Sequence, residues 1–402
     1  MSVSNPVAHA LASIRVAVRA VVWLLPIALV SGCDLFSDDT TDQGPAAADE
    51  RSLTIVRWGE WRATDGNFVF PRAIDVWAPD ADAPLSAQRV VVADKTRRIQ
   101  IFDGEGRFLV AWRWQLPPDE SDADGLRGFP VGVAFEPTRG PEEGLAGLRV
   151  WVASTHYSEV VRYDGTGRVL ERVGDYGTEP GRFVYPARVE PAADGSLLVT
   201  EFGQRIDRVQ FFEPPDADGR RALRWSVGGL GPAPGQFRRP NGCARGRDGA
   251  CWIADGNNHR LVELDPQSGS PQRVTGSFGD APGDLKRPFG LAFDGRFNRL
   301  IVAERLPSRL SVFSADGRFL GSVGPSEGLE LSDPWDVTAG PRHVFIPDYR
   351  NHRVVRLPLS ELPGADDHDA NSSASSSATD SPTAPSRSRP TEPAREMLPE
   401  AG

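Results

Sequence analysis

Few residues in this chain have the types and spacing that catalysis requires. No G-x-S-x-G elbow, H-E-x-x-H helix or phosphate-binding loop stands in the structural context that its chemistry needs. His156 and Tyr157 are the exception, because an imidazole beside a phenol on one loop can bind a ligand or exchange protons. We predict both as ligand-binding residues, and the alternative is a loop that has diverged without functional consequence.

Two cysteines have the spacing of a cross-strand pair. Cys243 and Cys251 flank a predicted turn with Arg247 at its midpoint, and antiparallel pairing about that residue would place them opposite each other. Cysteines on adjacent strands can form a disulfide in an oxidising compartment. The sequence therefore predicts a Cys243–Cys251 disulfide, with two buried free thiols as the alternative.

Composition and charge exclude several classes of protein. The chain has 402 residues, 41 Gly and 35 Pro, which favours many strands joined by tight turns over a helical bundle. A net charge of −10 argues against a nucleic-acid partner. The apolar run Val21–Val30 is too short to span a bilayer.

The first residues have the pattern of an export signal. Arg15 and Arg19 precede an apolar stretch, and small residues follow it, as in a secretory signal peptide. The closing tetrapeptide Val30–Cys33 (VSGC) resembles a bacterial lipobox. The resemblance implies cleavage after residue 32, lipidation of Cys33, and a mature protein anchored to the cell envelope at the inner or outer membrane. An ordinary signal peptide is the alternative.

The segments on either side of the central region have no periodic apolar positions. Residues 33–51 are acidic and predict a flexible tether, and residues 364–402 are rich in Ser, Thr, Pro and Ala and predict a disordered tail. The predicted domains are thus a signal peptide (1–32), the tether, a folded region (52–363) and the tail.

The folded region consists of repeats. A phrase of the form G-x-F-x-x-P opens a unit most clearly at Gly181–Pro186 and Gly235–Pro240, and related openings end at Pro71, Pro130, Pro288 and Pro334. Three or four short apolar runs separated by turns follow each phrase, so that a unit has about 40–50 residues, the length of a propeller blade. The sequence predicts an all-β, six-bladed propeller with four strands in each blade.

The repeats resemble the NHL family. Gly235–Asp265 carries the triplet Asn258-His259-Arg260, and the triplet recurs at Asn351-His352-Arg353. NHL proteins form six-bladed propellers, so the resemblance implies the same fold over residues 52–363. The last unit has three strands, and we expect Leu53–Trp58 to supply the fourth and close the ring.

A repeated acid–arginine pair has a structural explanation. In most units an acid ends one strand and an Arg begins the next, which allows a charge-assisted bond across the turn. The pairs are Asp94–Arg98, Glu201–Arg208, Asp255–Arg260, Glu304–Arg309 and Asp348–Arg353. The second unit departs from the pattern, with Ser154 and Glu159 at those places.

Two enzyme families offer comparisons for the channel. In the zinc-dependent peptidylglycine amidating lyases, the metal-binding His follow the Pro of the repeat, whereas none of the residues in that place here is His (Arg72, Val131, Ala187, Asn241, Phe289, Trp335). The gluconolactonases hold Ca²⁺ or Zn²⁺, and their Asn segment resembles Pro240-Asn241-Gly242. That resemblance implies Asn241 as a metal ligand, and Asp336, one place from the position of the family's Asp, is the second candidate ligand. The alternative is that Asn241 serves the backbone before Gly242.

The residues at the start of the inner strands are the best candidates for ligand contact. Phe289 and Trp335 stand where strands enter the channel, and Arg72 and Arg188 would give its mouth a positive rim suited to an anionic peptide, sugar acid or polyanion. We therefore predict a lipid-anchored, monomeric binding or scaffold module for an envelope protein, peptide or glycan, without a cofactor and not an enzyme. The alternative is a Ca²⁺- or Zn²⁺-dependent lactonase or hydrolase.

Overall fold

The computed structural model describes residues 53–115, 129–137 and 144–365, and this part of the chain is built from β-strands. Six antiparallel sheets of four strands each form the blades of a propeller. This confirms the predicted fold. In chain order the strands are β1 Val56–Trp58, β2 Pro71–Trp77, β3 Arg89–Asp94, β4 Arg98–Asp103, β5 Phe108–Arg113, β6 Pro130–Phe135, β7 Arg149–Ser154, β8 Glu159–Asp164, β9 Val169–Val173, β10 Tyr185–Pro191, β11 Leu197–Phe202, β12 Arg208–Phe212, β13 Leu223–Gly228, β14 Pro240–Arg245, β15 Cys251–Asp255, β16 Arg260–Leu264, β17 Pro271–Thr275, β18 Pro288–Asp294, β19 Arg299–Glu304, β20 Arg309–Ser314, β21 Phe319–Val323, β22 Thr338–Ala339, β23 His343–Asp348 and β24 Arg353–Pro358.

The ring is closed by a strand from the beginning of the folded region. Strand β1 pairs antiparallel with β24, with Val56 opposite Arg356 and Trp58 opposite Val354. The last blade therefore has the order β1-β24-β23-β22, as expected from the sequence. Blade 1 (β2–β5) contacts blade 6 through β2, β22 and β23, so that no blade is left with an open face at the seam.

Burial follows from the packing of blades face against face. The second strand of blade 1, Arg89–Asp94, is buried on both sides after its first residue, whereas the outermost strand Phe108–Arg113 has no buried residue. The core consists of clusters between neighbouring blades, such as the one that joins Val91 and Ile101 of blade 1 to Val133 and Val152 of blade 2. Each such side chain contributes about 1.5–3 kcal/mol of transfer free energy.

The two faces of the propeller differ in the connections they carry. The turns between the second and third strands and the connections that lead into each new blade lie on one face, which we call the upper face. The remaining turns lie on the lower face. The repeat Pro of each blade stands at or near the start of the innermost strand at the upper face, and the chain then descends beside the central channel.

The predicted acid–arginine pairs are all present. The distances from Arg Nε or Nη2 to the carboxylate oxygen are 2.7 to 2.9 Å. The same carboxylates accept a hydrogen bond from a backbone N–H of the G-x-F-x-x-P loop, for example Arg238 N to Asp255 Oδ1 at 2.7 Å and Val184 N to Glu201 Oε2 at 2.8 Å. Each pair therefore holds the loop that places the next residues at the channel mouth.

The N-H-R triplet connects adjacent blades. Asn258 Nδ2 donates to Asp255 Oδ2 at 2.8 Å, and His259 Nδ1 accepts the backbone N–H of Arg287 in the following loop at 3.1 Å. In the last blade His352 does the same for the N–H of Phe70 at 3.1 Å. These two His side chains therefore connect neighbouring blades.

The predicted signal peptide, Cys33, the acidic tether and residues 366–402 of the predicted tail lie outside the described residues. Within the described residues, no helix has the length and apolar character that crossing a membrane would require.

Candidate functional site

A small cavity lies at the upper mouth of the channel. Its volume is about 130 Å³. It is lined by five of the six residues that follow the repeat Pro, together with three others (Arg72, Val131, Asn241, Phe289, Trp335; Thr155, Phe202, Arg239). The positions predicted for ligand contact at Arg72, Asn241, Phe289 and Trp335 are thus brought together, whereas Ala187 is buried and does not line the cavity.

Arginine side chains pack against the aromatic wall of this cavity. The guanidinium of Arg72 lies 4.9 Å from the ring centroid of Trp335, and that of Arg305 lies 4.0 Å from the same ring. Phe289 meets Trp335 edge to face at 5.0 Å. Asp333 fixes Arg305 through two bonds, from Nε at 2.6 Å and from Nη2 at 2.8 Å. The wall is therefore rigid and positively charged.

Two of the arginines at the mouth have unused hydrogen-bond donors. The Nε groups of Arg72 and Arg239 are buried and have no acceptor among the described residues. Burial lowers the pKa of Arg72, an effect opposed by a hydrogen bond to Tyr349 and reinforced by the charge of Arg305. Burial, with Arg305 and Arg287 nearby, also lowers the pKa of Arg239. Arginine remains charged at neutral pH even when burial lowers its pKa, so the mouth holds positive charge that an anion would stabilise.

The basic character extends to the residues around the cavity. In each blade three repeat positions, which we call the mouth positions, lie at the upper ends of the two inner strands: the residue before the Pro, the residue after it, and the residue that follows the acid position of the second strand. Across the six blades these positions carry five basic side chains and one acidic one (Arg72, Lys95, Arg239, Arg287, Arg305; Asp333). The acid is already bound by Arg305.

An ion pair crosses the channel below the mouth. Arg188 and Asp336 are the residues two places after the Pro in blades 3 and 6, which face each other across the ring, and the Arg188 guanidinium donates to Asp336 Oδ2. The other four blades have Ala73 or Gly there (Gly132, Gly242, Gly290), which leaves room for this bridge. A second cavity of about 140 Å³ follows further down, and it shares no lining residue with the mouth cavity. The bridge therefore divides the channel.

The position of Arg188 corrects a prediction. We expected Arg188 at the positive rim of the mouth, but its side chain is only 6% exposed and pairs with Asp336, and it lines the lower cavity. The reason is a β-bulge after the repeat Pro, which turns consecutive residues toward different levels of the channel. Arg239, which the sequence analysis missed, takes the place that was assigned to Arg188.

Comparison with known proteins gives one curated relative. The alignment with NHL repeat-containing protein 3 of Mus musculus covers 242 residues at 25% identity, which is 58% of this chain and 61% of the relative. The chain therefore matches about three fifths of that relative's length. No family model matches. The six four-stranded blades, the N-H-R triplets and the similarity to this relative all support the same type of propeller.

The chain is an NHL-type six-bladed propeller. Among solved structures, it is similar to a virginiamycin B lyase of Staphylococcus aureus (13% identity, 77% of this chain and 87% of that one, TM-score 0.48). It is also similar to a gluconolactonase of Xanthomonas campestris (17% identity, 73% and 87%, TM-score 0.48). These are similarities of backbone fold.

The residues proposed as metal ligands in this NHL propeller do not fit a metal ion. Asp336 is occupied, because Oδ2 accepts from Arg188 and from the backbone N–H of Ile74 at 3.0 Å, while Oδ1 accepts the N–H of Val337 at 2.9 Å. No group of three His, Cys, Asp or Glu in the described part of the chain could hold an ion. The guanidinium of Arg188 thus occupies the Asp336 carboxylate that a metal cation would need.

Gly242 explains the lactonase-like segment differently. A Cβ atom at this position would lie 2.5 Å from the carbonyl oxygen of Phe289, and one at Gly132 or Gly290 would be equally close to the next inner strand. The Asn-Gly sequence therefore reflects the close approach of inner strands. Asn241 lines the mouth cavity, and its backbone carbonyl accepts a hydrogen bond from Thr200 Oγ1 at 2.6 Å.

His156 and Tyr157 do not line the mouth cavity. The exposed His156 ring meets Phe129 edge to face at 5.8 Å, and Tyr157 packs against the core between blades 1 and 2. Their neighbour Thr155 reaches the cavity instead. In this blade the acid–arginine pair is replaced, because Glu159 binds Arg172 of the fourth strand at 2.6 Å. The unusual loop therefore supplies one residue that lines the cavity, Thr155, and not the predicted His156 or Tyr157.

The predicted disulfide is absent from the structure. Cys243 and Cys251 are both free and buried. Cys251 pairs with Arg245, and Cys243 pairs with Ile253, so that the hairpin is centred on Asp248 and not on Arg247. Because the turn is centred one residue later than predicted, Cys243 lies opposite Ile253, two positions beyond Cys251. Burial raises the pKa of both.

Proposed function

We propose that this NHL propeller is a non-catalytic binding module that recognises an anionic group of a protein, peptide or glycan at its upper channel mouth. The observation that carries the proposal is the pair of buried Nε donors on Arg72 and Arg239 that lack an acceptor. A buried donor without a partner costs about 1–3 kcal/mol. An anion in the cavity would supply the missing acceptors to two guanidinium groups at once.

The composition of the cavity supports binding over catalysis. Its eight described lining residues include no carboxylate, imidazole or thiol that could serve as a base or nucleophile. Asn241 and Thr155 add neutral polar groups, and Phe202, Phe289 and Trp335 form flat apolar walls. The combination suits one carboxylate with a short apolar or sugar body, which the walls can contact.

Titration with small anions tests the proposal. The probes are N-acetyl-L-glutamate and D-glucuronate, with N-acetyl-L-glutamine and D-glucose as neutral counterparts, at constant ionic strength and with calorimetry or tryptophan fluorescence as the signal. We expect the anions to bind at least about tenfold more tightly than the neutral compounds, since charge-assisted hydrogen bonds contribute about 1.5–3 kcal/mol each.

Two adjacent arginines provide a matched control. Arg239→Met should reduce anion affinity by about tenfold or more, whereas Arg238→Met removes the same charge from an exposed position in the same loop and should change it little. Equal effects of the two substitutions, or equal affinity for the neutral compounds, would reject the proposal.

The proposal also places this module at the cell envelope, held by lipid on Cys33. The support for this part is the signal-like segment that ends in Val30–Cys33, which lies outside the described residues.

A further inference from the structure

The exposed apolar side chains of this propeller are concentrated on its upper face. Among the described residues, nine large hydrophobic side chains are exposed, and the three most exposed are Trp61 (72%), Phe278 (66%) and Tyr176 (61%). These three and Tyr185, Leu230 and Leu306 all belong to upper-face loops or strand starts. The other three lie on outermost strands (Phe108, Leu109, Val274). The upper face is therefore apolar as well as basic.

Four of these residues occupy the same place in the repeat. Trp61, Tyr176, Leu230 and Phe278 each stand five residues before the Gly that opens the next G-x-F or G-x-L phrase. They belong to four different blade connections and so surround the mouth. We call these four residues the apolar collar.

The collar is held in place by the fold. Trp61, Tyr176 and Leu230 each form an isolated β-bridge to the buried Phe of their own phrase. Phe278 lies against His259 of the preceding blade, with ring centroids 4.8 Å apart. Since these contacts fix the backbone and leave much of each side chain exposed, a partner would lose little conformational entropy by binding to them.

A series of ring contacts connects the collar to the mouth cavity between blades 6 and 1. The ring centroids of Trp61 and His352 are 6.1 Å apart, and those of His352 and Phe70 are 4.4 Å apart. Tyr349 follows at 4.9 Å from Phe70, and Trp335 at 4.9 Å from Tyr349. Lys95 lies over Phe70 at 4.9 Å. Collar and mouth are thus parts of one continuous surface, with apolar contacts outside and positive charge inside.

We infer that this surface docks a folded protein that inserts an acidic side chain into the mouth and covers the apolar collar. The inference rests on the proposed function, because the acidic side chain is the anion bound by Arg72 and Arg239. Charge complementarity selects an acidic tip, since the mouth positions carry five basic side chains and one acid that is already paired.

The arrangement of the collar favours a protein over a glycan. A sugar chain would follow a single line of rings, whereas the collar extends over four blade connections around the channel. Exposed Trp, Tyr and Phe around an Arg-rich centre are the composition of interface hot spots.

Site-specific photo-crosslinking in the cells that produce the protein tests this inference. The photoreactive residue p-benzoylphenylalanine replaces Trp61, Tyr176 or Phe278 in the full chain, and Leu109 on an outermost strand serves as the control position. We expect the same protein adduct from all three collar positions and none from the control. The adduct should fall at least fivefold in the background of R72M and R239M, and the crosslinked region of the partner should be acidic.

Each other outcome contradicts the inference. The absence of an adduct, an equal adduct at position 109, or an adduct that survives R72M and R239M would overturn it. An adduct with a second copy of this chain, with lipid or with glycan would do so as well. The small-anion titration separates the two proposals: if anions bind but no acidic protein is crosslinked, only the docking inference fails, and if anions do not bind, the proposed function fails with it.

Discussion

Removal of Arg188 should destabilise the propeller in a way that depends strongly on pH. The side chains of Arg188 and Asp336 are 6% and 7% exposed, so Arg188→Met leaves a carboxylate unpaired in the channel. Breaking a buried ion pair from one side costs about 3–5 kcal/mol, and we expect a loss of this size at pH 8. Asp336 would keep its hydrogen bonds from Ile74 and Val337, which argues for the lower part of that range.

The pH dependence has a definite sign. Burial raises the pKa of Asp336 to about 6, and Arg188 is the main group that opposes this shift. Without Arg188 the folded-state pKa rises further, so the folded protein holds a proton that the unfolded chain releases above pH ~4. The free energy of unfolding therefore falls as the pH rises through this window. At pH 5, where Asp336 is protonated, the loss caused by Arg188→Met should be smaller than at pH 8 by about 1–3 kcal/mol.

Urea denaturation followed by tryptophan fluorescence and circular dichroism provides the measurement. Arg188→Met combined with Asp336→Ala is the control, because the combination removes the carboxylate closest to Arg188 and leaves only its more distant partner Glu190, at 3.8 Å. Ala already occupies the position equivalent to Asp336 in blade 1. The double variant should recover at least half of the loss. The reasoning is refuted if the single variant loses less than about 1 kcal/mol at pH 8, or loses the same amount at both pH values.

Two further predictions concern the partly buried Glu190 and the two buried cysteines. Burial raises the pKa of Glu190 to about 7, so its ionisation destabilises the fold as the pH rises from ~4.5 to ~7. Compared with the native protein, Glu190→Gln should therefore raise the free energy of unfolding by about 1–3 kcal/mol more at pH 8 than at pH 5. A decrease in the same urea titration would contradict this. Cys243 and Cys251 should be unreactive toward a thiol reagent in the folded fragment 53–365 and should both react after unfolding without reductant. No reactive thiol in that unfolded fragment would restore the disulfide hypothesis.

The sequence was sufficient for the architecture because the fold is repeated. Each G-x-F-x-x-P phrase or related phrase marks the start of a blade, and the six of them together gave the blade number without knowledge of contacts. The closing strand followed from the missing fourth strand of the last unit. The acid–arginine pairs, such as Asp255 with Arg260, were predictable because both partners lie on one hairpin, where sequence distance determines spatial distance.

The candidate site was predictable only in part, since it depends on register and on contacts between blades. The residue after the repeat Pro faces the mouth and the next residue faces the channel interior, and a β-bulge decides between them, which is why Arg188 was misplaced. Thr155, Phe202 and Arg305 each follow directly the acid position near the end of the second strand (Ser154, Glu201, Glu304), so an alignment of these strand ends could have found them. The Arg188–Asp336 bridge joins opposite blades, and no local pattern relates two residues 148 positions apart.

The closure of the ring has a practical consequence for experiments on this protein. Strand β1 runs upward against β24, so the chain enters the propeller at the lower face, and β24 ends there as well. Near this end, the backbone N–H of Thr54 donates to Glu361 at 2.7 Å, which places the two ends of the described region side by side. A purification tag or a surface linker attached at either of these points would leave the mouth cavity and the apolar collar accessible. Immobilisation through these ends thus orients every molecule in the same way for binding measurements.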